Sequence, residues 1–252
     1  MPVLVPYHQD EYLPGFAEAL PRSWAGRTVV ADLRSDATGW ARLAPLYRAV
    51  SEAVAGDVAA GAIPTLVASG CCGVSLGVLA GLQRAGIEAG VVWFDAHGDV
   101  QTMETSTSGY LGGMPVRVMV GYRPELVADA IGLHPIPEER VTLVDARDLD
   151  PPEVQYLAGS GIRRSTVEDL AESSLPPGPL LLHIDLDVVD PTDLPGLRFP
   201  VPGGPSAASV VAAVRRVLRT GRVVALDIAG TWDPSTADPA GGRASIMREL
   251  LA

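Results

Sequence analysis

Short, nearly all-apolar runs alternate with helix-patterned stretches along the whole chain, and nothing else in the sequence limits the fold so strongly. The runs cover residues 3–6, 28–33, 65–69, 90–95, 141–145, 180–185 and 223–227. Strands this apolar are those of a parallel sheet covered on both faces. Between them, residues 41–55 place Leu43, Leu46, Ala49, Val50 and Val54 at helical spacing, and 74–85, 152–158, 206–218 and 244–251 are patterned similarly. The prediction is an α/β protein, a three-layer α/β/α sandwich around a mostly parallel central sheet. No linker, repeat or low-complexity tract divides the 252 residues, so a single domain over 1–252 is expected. The Pro/Gly-rich stretches 190–205 and 230–242 follow strand ends, and in open parallel sheets the loops at carboxyl ends form the ligand crevice.

Charge removes several function classes. Nineteen basic against 30 acidic residues give a net charge of −11, which argues against nucleic acid and anionic membrane surfaces as partners. All 19 basic residues are Arg. With no Lys, Schiff-base, P-loop and protein-kinase chemistries are excluded. The two cysteines, Cys71 and Cys72, are adjacent and form no disulfide framework. With no signal peptide read at the N-terminus, a cytoplasmic location is expected. Residues 58–82 carry no charge, yet five glycines and Pro64 make a strand, a loop and a helix start a better reading than a membrane span.

The chemistry-bearing side chains stand where apolar runs end. In Asp95-Ala96-His97-Gly98-Asp99, the two-residue period of extended chain turns Asp95, His97 and Asp99 to one side. In Asp185-Leu186-Asp187, two carboxylates again share a face. Either motif alone is commonly a turn or a cap. Each closing an apolar strand, they need a partner for their charge, and two divalent cations would offset four carboxylates. Such a site activates water for hydrolysis. Asp95, His97, Asp99, Asp185 and Asp187 are therefore both the candidate catalytic and the candidate metal residues. His183 shares the face of Asp185 but lies deeper, and is read as a core residue or an outer partner of a ligand. His8 and His134 are read as structural.

These motifs resemble the ureohydrolase superfamily of arginases, agmatinases and their relatives. Asp95-Ala96-His97-Gly98-Asp99 is similar to the family's Asp-Ala-His-x-Asp motif, and residues 102–109 to the loop after it. Arg147-Asp148-Leu149-Asp150-Pro151 resembles the arginase Arg-Asp-x-Asp-Pro stretch. Asp185 through Pro191 resembles Asp-x-Asp-x-x-Asp-Pro, followed by Pro202-Gly203-Gly204, and Leu226-Asp227-Ile228 resembles the last motif. The resemblance implies a binuclear, manganese-type amidinohydrolase acting on a small molecule. Asp95 and Asp185 would bridge the metals, Asp99 complete one position, and His97 and Asp187 the other. Ser108, Tyr110, Asp148, Asp150 and Glu153 would fall at the substrate's amino-acid end. Family members are often trimers or hexamers, so a homo-oligomer is expected.

Four positions depart from the family pattern. Cys72 stands where the first metal-ligating His is expected, which opens Zn²⁺ or Fe²⁺ beside Mn²⁺; the plain alternative is a small buried hydrophobe. Gly112 replaces the proton-shuttling His, Tyr110 a substrate-binding Asn, and Gly230 the Glu that pairs with the guanidinium, with Asp233 the nearest carboxylate. The first three, with the loop Gly109 to Met114, resemble the hydroxyarginine hydrolases of cycloserine biosynthesis. The expected activity is C–N hydrolysis of a guanidino or N-hydroxyguanidino amino acid, releasing urea or hydroxyurea. The alternatives are hydrolysis of a non-guanidine amide or formimino substrate, and a catalytically silent member acting as a binding partner.

Overall fold

The computed structural model describes residues 1–33, 37–233, 236 and 241–251. Eight strands form one sheet: β1 (Val3–Val5), β4 (Arg27–Thr28), β5 (Thr65–Ser69), β6 (Gly90–His97), β7 (Val141–Asp148), β8 (Arg163–Ser165), β9 (Leu180–Asp185) and β10 (Val223–Ala229). Their order is β4-β1-β5-β10-β9-β6-β7-β8, and every pairing is parallel. A separate two-residue hairpin pairs β2 (Tyr7–His8) with β3 (Glu11–Tyr12). The longer helices are α1 (Gly39–Ala59), α2 (Val74–Arg84), α5 (Pro151–Gly159), α6 (Ala207–Leu218) and α7 (Gly242–Leu251), and short α3 (Pro115–Met119) and α4 (Ala128–Ile131) lie between β6 and β7.

Alternation along the strands builds the three layers. On β6, Val91 and Trp93 enter the apolar cluster shared with α1 and α2, while Val92 and Phe94 enter the cluster shared with α6 and α7. On β9, Leu181 takes the first side and Leu180, Leu182 and Ile184 the second. Both faces are thus covered, as the apolar runs require. Helix α2 packs closely on α1, because a Cβ at Gly77 or Gly81 would press into the backbone carbonyls of Tyr47 or Ser51.

The predicted three-layer sandwich is the observed fold, with differences at its margins. The strand expected at 28–33 is confined to Arg27–Thr28, and β8 adds a polar edge strand. The runs ending at 95 and 145 continue as β6 and β7 to His97 and Asp148. The charge-free stretch 58–82 forms the end of α1, a loop, β5, a tight turn and most of α2. No helix among the described residues is long and apolar enough to cross a membrane. Of the loop 230–242, residues 234–235 and 237–240 lie outside the described residues.

Candidate metal centre

Strands β5, β10, β9 and β6 are neighbours at the middle of the sheet, and their carboxyl ends surround one cleft of about 200 Å³. β5 ends at Ser69, and the turn Gly70-Cys71-Cys72-Gly73 leads into α2, which sets Cys72 in the floor. β6 brings Asp95 and His97. β9 closes on Asp185, whose Oδ1 accepts the Asp187 N–H at 2.9 Å, so the short turn Leu186–Val188 aims the second carboxylate at the same point. Asp99 sits beyond β6 in the left-handed region, φ 53°, a conformation Asp tolerates better than most residues. Its carbonyl accepts the N–H groups of Val116 and Arg117.

The backs of these motifs are tied down. β7 carries one extra residue opposite β6 between the pairs Asp95–Asp145 and His97–Asp148, and Asp145 and Ala146 there have positive φ. From this bulge the Arg147 guanidinium reaches the Asp145 carboxylate and the carbonyls of Val188 (3.1 Å), Asp187 (3.3 Å) and Val201 (2.5 Å). Asp190 Oδ2 accepts the N–H groups of Gly203 (2.8 Å) and Gly204 (3.0 Å). A Cβ at Gly204 would collide with the Arg147 guanidinium, which accounts for a glycine there.

Within the floor, Cys72 Sγ donates to Asp185 Oδ2 at 2.7 Å and lies 3.9 Å from Asp95 Oδ2. His97 Nδ1 is 3.1 Å from Asp187 Oδ2 and 3.3 Å from Asp95 Oδ1. Trp93 Nε1 donates to Asp95 Oδ2 at 3.1 Å. Burial and the Asp187 charge push the Asp185 carboxyl up to about 7; burial and the Asp95 charge push Asp187 up to about 6. Asp99 is raised well above the carboxylate range, first by burial and then by Asp95, and its Oδ2 is buried with no hydrogen-bond partner. The Cys72 thiol is raised by burial and by Asp185. Burial opposes charge on His97, yet hydrogen bonds to Asp187 and Asp95 and their charges carry its pKa up to about 12.

This donor set fits divalent cations. Ligand atoms of Asp95, His97 and Asp187 fall within 4.8 Å of one another, as do those of Cys72, Asp95 and His183, and Asp95 belongs to both groups. The orphaned Asp99 oxygen and the crowded carboxylates need the positive charge that such ions bring. The protonated His97 supplies part of it in their absence.

Ser108, Tyr110, Asp150 and Glu153 line the cleft, whereas Asp148 is not among its lining residues and stands with a 62% exposed side chain 3.9 Å from His97 Nε2. The Glu153 carboxylate is occupied by the N–H groups of Val100 and Asp150, so it caps α5 as well as facing the cleft. Ser106, from the loop 102–109, also lines it, as do Gln101, Phe199 and Thr231, which no motif marks. Gln101 Nε2 holds Asp150 Oδ2 at 2.7 Å. His8, read from sequence as structural, stands behind two lining residues: its Nδ1 meets Gly70 O (3.1 Å) and Thr231 Oγ1 (3.2 Å), and its Nε2 lies 3.4 Å from the Tyr110 hydroxyl. Tyr110 and Gly112 are coupled, since a Cβ at 112 would overlap the Tyr110 ring. At Gly230 a Cβ would stand 3.1 Å from Leu186 Cδ1 and 3.5 Å from the Trp232 ring; Asp233 is not among the lining residues.

Comparison with known proteins points the same way. The family model described as "Arginase family" matches residues 19–250. The arginase of Bacillus subtilis is 36% identical over 152 residues, 55% of this chain and 51% of that protein. The N(omega)-hydroxy-L-arginine amidinohydrolase of Streptomyces lavendulae is 28% identical over 215 residues, 83% of this chain and 74% of that protein. The chain spans about half the length of the first curated arginases it matches. Among solved structures, the arginase of Bacillus caldovelox superposes with a TM-score of 0.82 at 25% identity, covering 99% of this chain and 95% of that one. A match over nearly the whole chain, on a fold whose central strand ends carry the motifs of that group, places this protein in the arginase family of ureohydrolases.

Proposed function

We propose that the protein is a metal-dependent amidinohydrolase that cleaves a C–N bond of a guanidino or N-hydroxyguanidino amino acid, releasing urea or hydroxyurea. One observation carries the reading: Asp95, His97, Asp99, Asp185, Asp187 and Cys72 converge on the floor of a single cleft. Asp95, Asp185, Asp99 and Cys72 would hold one divalent ion, and Asp95, Asp185, His97 and Asp187 the other. When bound, such ions lower the pKa of water and stabilise a tetrahedral centre. The donors suit Mn²⁺ on the His97 side, while the Cys72 sulfur favours Zn²⁺ or Fe²⁺ on its own.

The chain's own residues orient the substrate. Ser108 and the Asp150 carboxylate, steadied by Gln101, face the cleft above the floor and suit the amino and carboxylate groups of an amino acid. Tyr110 and Phe199, with ring centroids 5.2 Å apart, form an apolar wall that limits water access. With glycine at 112, the Tyr110 hydroxyl is the protic group on that side. In either substrate the amine of ornithine leaves; an N-hydroxyguanidine is less basic than a guanidine and depends less on a pairing carboxylate, which supports an N-hydroxyguanidino substrate. The Streptomyces lavendulae relative adds to that support.

Gly230 motivates a second reading, hydrolysis of a non-guanidine amide or formimino group. Leu186 and Trp232 occupy the surroundings where a guanidinium-pairing carboxylate is expected, and an unpaired guanidinium forgoes a charge-assisted bidentate contact. The deciding experiment incubates metal-loaded protein with arginine, N-hydroxyarginine, agmatine, guanidino acids and formimino amino acids, and assays urea, hydroxyurea and formamide. Hydroxyurea with ornithine is expected. Formamide alone would establish the second reading, and turnover of none with Mn²⁺, Zn²⁺ or Fe²⁺ would defeat both.

A further inference from the structure

His183 has no task in the reaction as proposed, yet its surroundings are those of a working group. It lies on β9 two residues before Asp185 and is 0% exposed. Its ring stacks on Trp93, with centroids 3.7 Å apart and planes at 25°. Nδ1 lies 3.0 Å from Asp227 Oδ2 and 2.8 Å from Ser75 Oγ. Asp227 is itself 0% exposed and accepts the hydroxyls of Ser69 (3.3 Å) and Ser75. A carboxylate this well supported sets the tautomer: the proton sits on Nδ1, and Nε2 keeps its lone pair. Nε2 is buried with no hydrogen-bond partner.

Buried polar atoms are nearly always satisfied, so an orphaned imidazole nitrogen beside a site that takes cations asks for one. A ring nitrogen of His183, the Cys72 sulfur and an Asp95 oxygen lie within 4.8 Å of one another. Metal-ligating histidines almost always give their other ring N–H to a carboxylate or carbonyl, which is the relation of His183 to Asp227. Cysteine is also shorter than histidine, so the replacement at 72 leaves room beside it for an imidazole from β9, across β10 in the sheet.

We propose that His183 is a metal ligand, forming with Cys72 and Asp95 a sulfur–nitrogen–oxygen set on the Cys72 side of the cleft, with Asp227 orienting the ring. The imidazole that the family pattern places at 72 is thus supplied from β9. The inference rests on the metal-binding part of the proposed function. It also sharpens it, because a thiolate with an imidazole selects a Zn²⁺-type ion on this side, while His97, Asp95 and Asp187 form a harder set on the other.

The test uses full-length protein loaded with Zn²⁺ or Co²⁺ and reads metal binding directly. Wild type is expected to bind about two ions per chain, and its Co²⁺ form to show a thiolate-to-cobalt charge-transfer band that Cys72→Ser abolishes. His183→Gln is expected to keep that band, change the visible d–d bands, and weaken one of the two binding constants by more than about 100-fold. Asp227→Asn should weaken the same constant by only about 10–100-fold, as removal of an outer partner does. Because His183→Gln alters a fully buried ring, zinc-edge X-ray absorption on wild type is the companion measurement. It is expected to give about one imidazole per zinc, from His97 and His183 together, where His97 alone would give about half. Half an imidazole per zinc, or unchanged binding and spectra in a folded His183→Gln, would overturn the assignment of His183 alone. No metal bound by wild type would overturn both it and the metal-dependent reading.

Discussion

The floor of the cleft and its wall follow the family pattern to different degrees. On the floor, Asp95, His97, Asp99, Asp185 and Asp187 keep the residue types of the family motifs and line one cleft, and only Cys72 departs in type. On the wall, Tyr110 and Gly112 depart, and the Tyr110 ring fills the space beside Gly112; Gly230, next to the lining residue Thr231, departs too, with Leu186 close by. The contrast separates the strand ends that keep the family's acidic motifs from those that do not. The floor belongs to β6, β9 and the turn after β5, where buried carboxylates crowd one another. The wall belongs to the loop after β6 and to the end of β10, where side chains exchange with little cost to the sheet.

The sharpest way to break the comparison is on the floor. Asp185→Ala should lower kcat/KM by about 10³-fold or more, because several kcal/mol of charge stabilisation are lost at about 1.4 kcal/mol per tenfold. Steady-state kinetics with metal analysis of the same sample would check it. If activity survived at near wild-type level, the chemistry would lie elsewhere.

A pH series separates floor from wall without mutation. In metal-free protein, Asp185 and Asp187 are raised to about 7 and about 6, above their ordinary 3.8. A raised carboxyl binds more protons folded than unfolded, so the stability it adds is present at low pH and lost as pH rises through 6–7. His97, raised to about 12, keeps its proton in the folded chain while the unfolded imidazole loses one above 6.5, so it adds to the loss from that pH upward. Asp185 alone corresponds to an effect on the order of 4 kcal/mol, or roughly 10 °C in Tm for a domain of this size. Thermal melts with chelator should therefore fall from pH 5 to pH 8, and saturating metal should remove the slope. A chelator-independent profile would contradict the electrostatics described here.

On the wall, Gly112→His should fail to help while Tyr110 is present, since the ring occupies the space. Tyr110→Asn with Gly112→His should raise arginine turnover by about 10²-fold, the lower range for a restored proton donor. Steady-state turnover of arginine measures this, and an unmoved rate would detach these positions from proton delivery to the leaving amine. The smallest effect is expected at Gly230→Ala: with Leu186 3.1 Å away, a cost of about 1 kcal/mol in chemical denaturation and unchanged metal content. A large loss of metal would show that wall and floor are coupled.

The central strands were readable because both faces are buried, and burial leaves continuous apolar runs. The missed strand β8 (Arg163–Ser165) is an edge, where no apolar signal is required, and the hairpin of β2 and β3 is too short to show a period. Asp95, His97 and Asp185 were readable because a two-residue period fixes their direction. Gln101 and Thr231 reach the cleft through loops, and loop direction is set by contacts distant in sequence, such as that of Thr231 with Gly70 and His8. His183 shows the limit of the same period: it gives the correct face, but not that Asp227 and Ser75 from two other elements engage its Nδ1.

The Arg147 clamp gives local meaning to a chain without lysine. Its guanidinium spreads over one carboxylate and three backbone carbonyls, bridging β7 to the turn that carries Asp187 and to the strap that returns at Val201. A planar fork can meet acceptors lying in several directions at once, which a compact ammonium on a flexible stem cannot do without giving some up. Arg147→Lys would keep the charge and lose the brace, letting the Asp187 turn drift from its partner strand. In this molecule, one positive charge works as joinery.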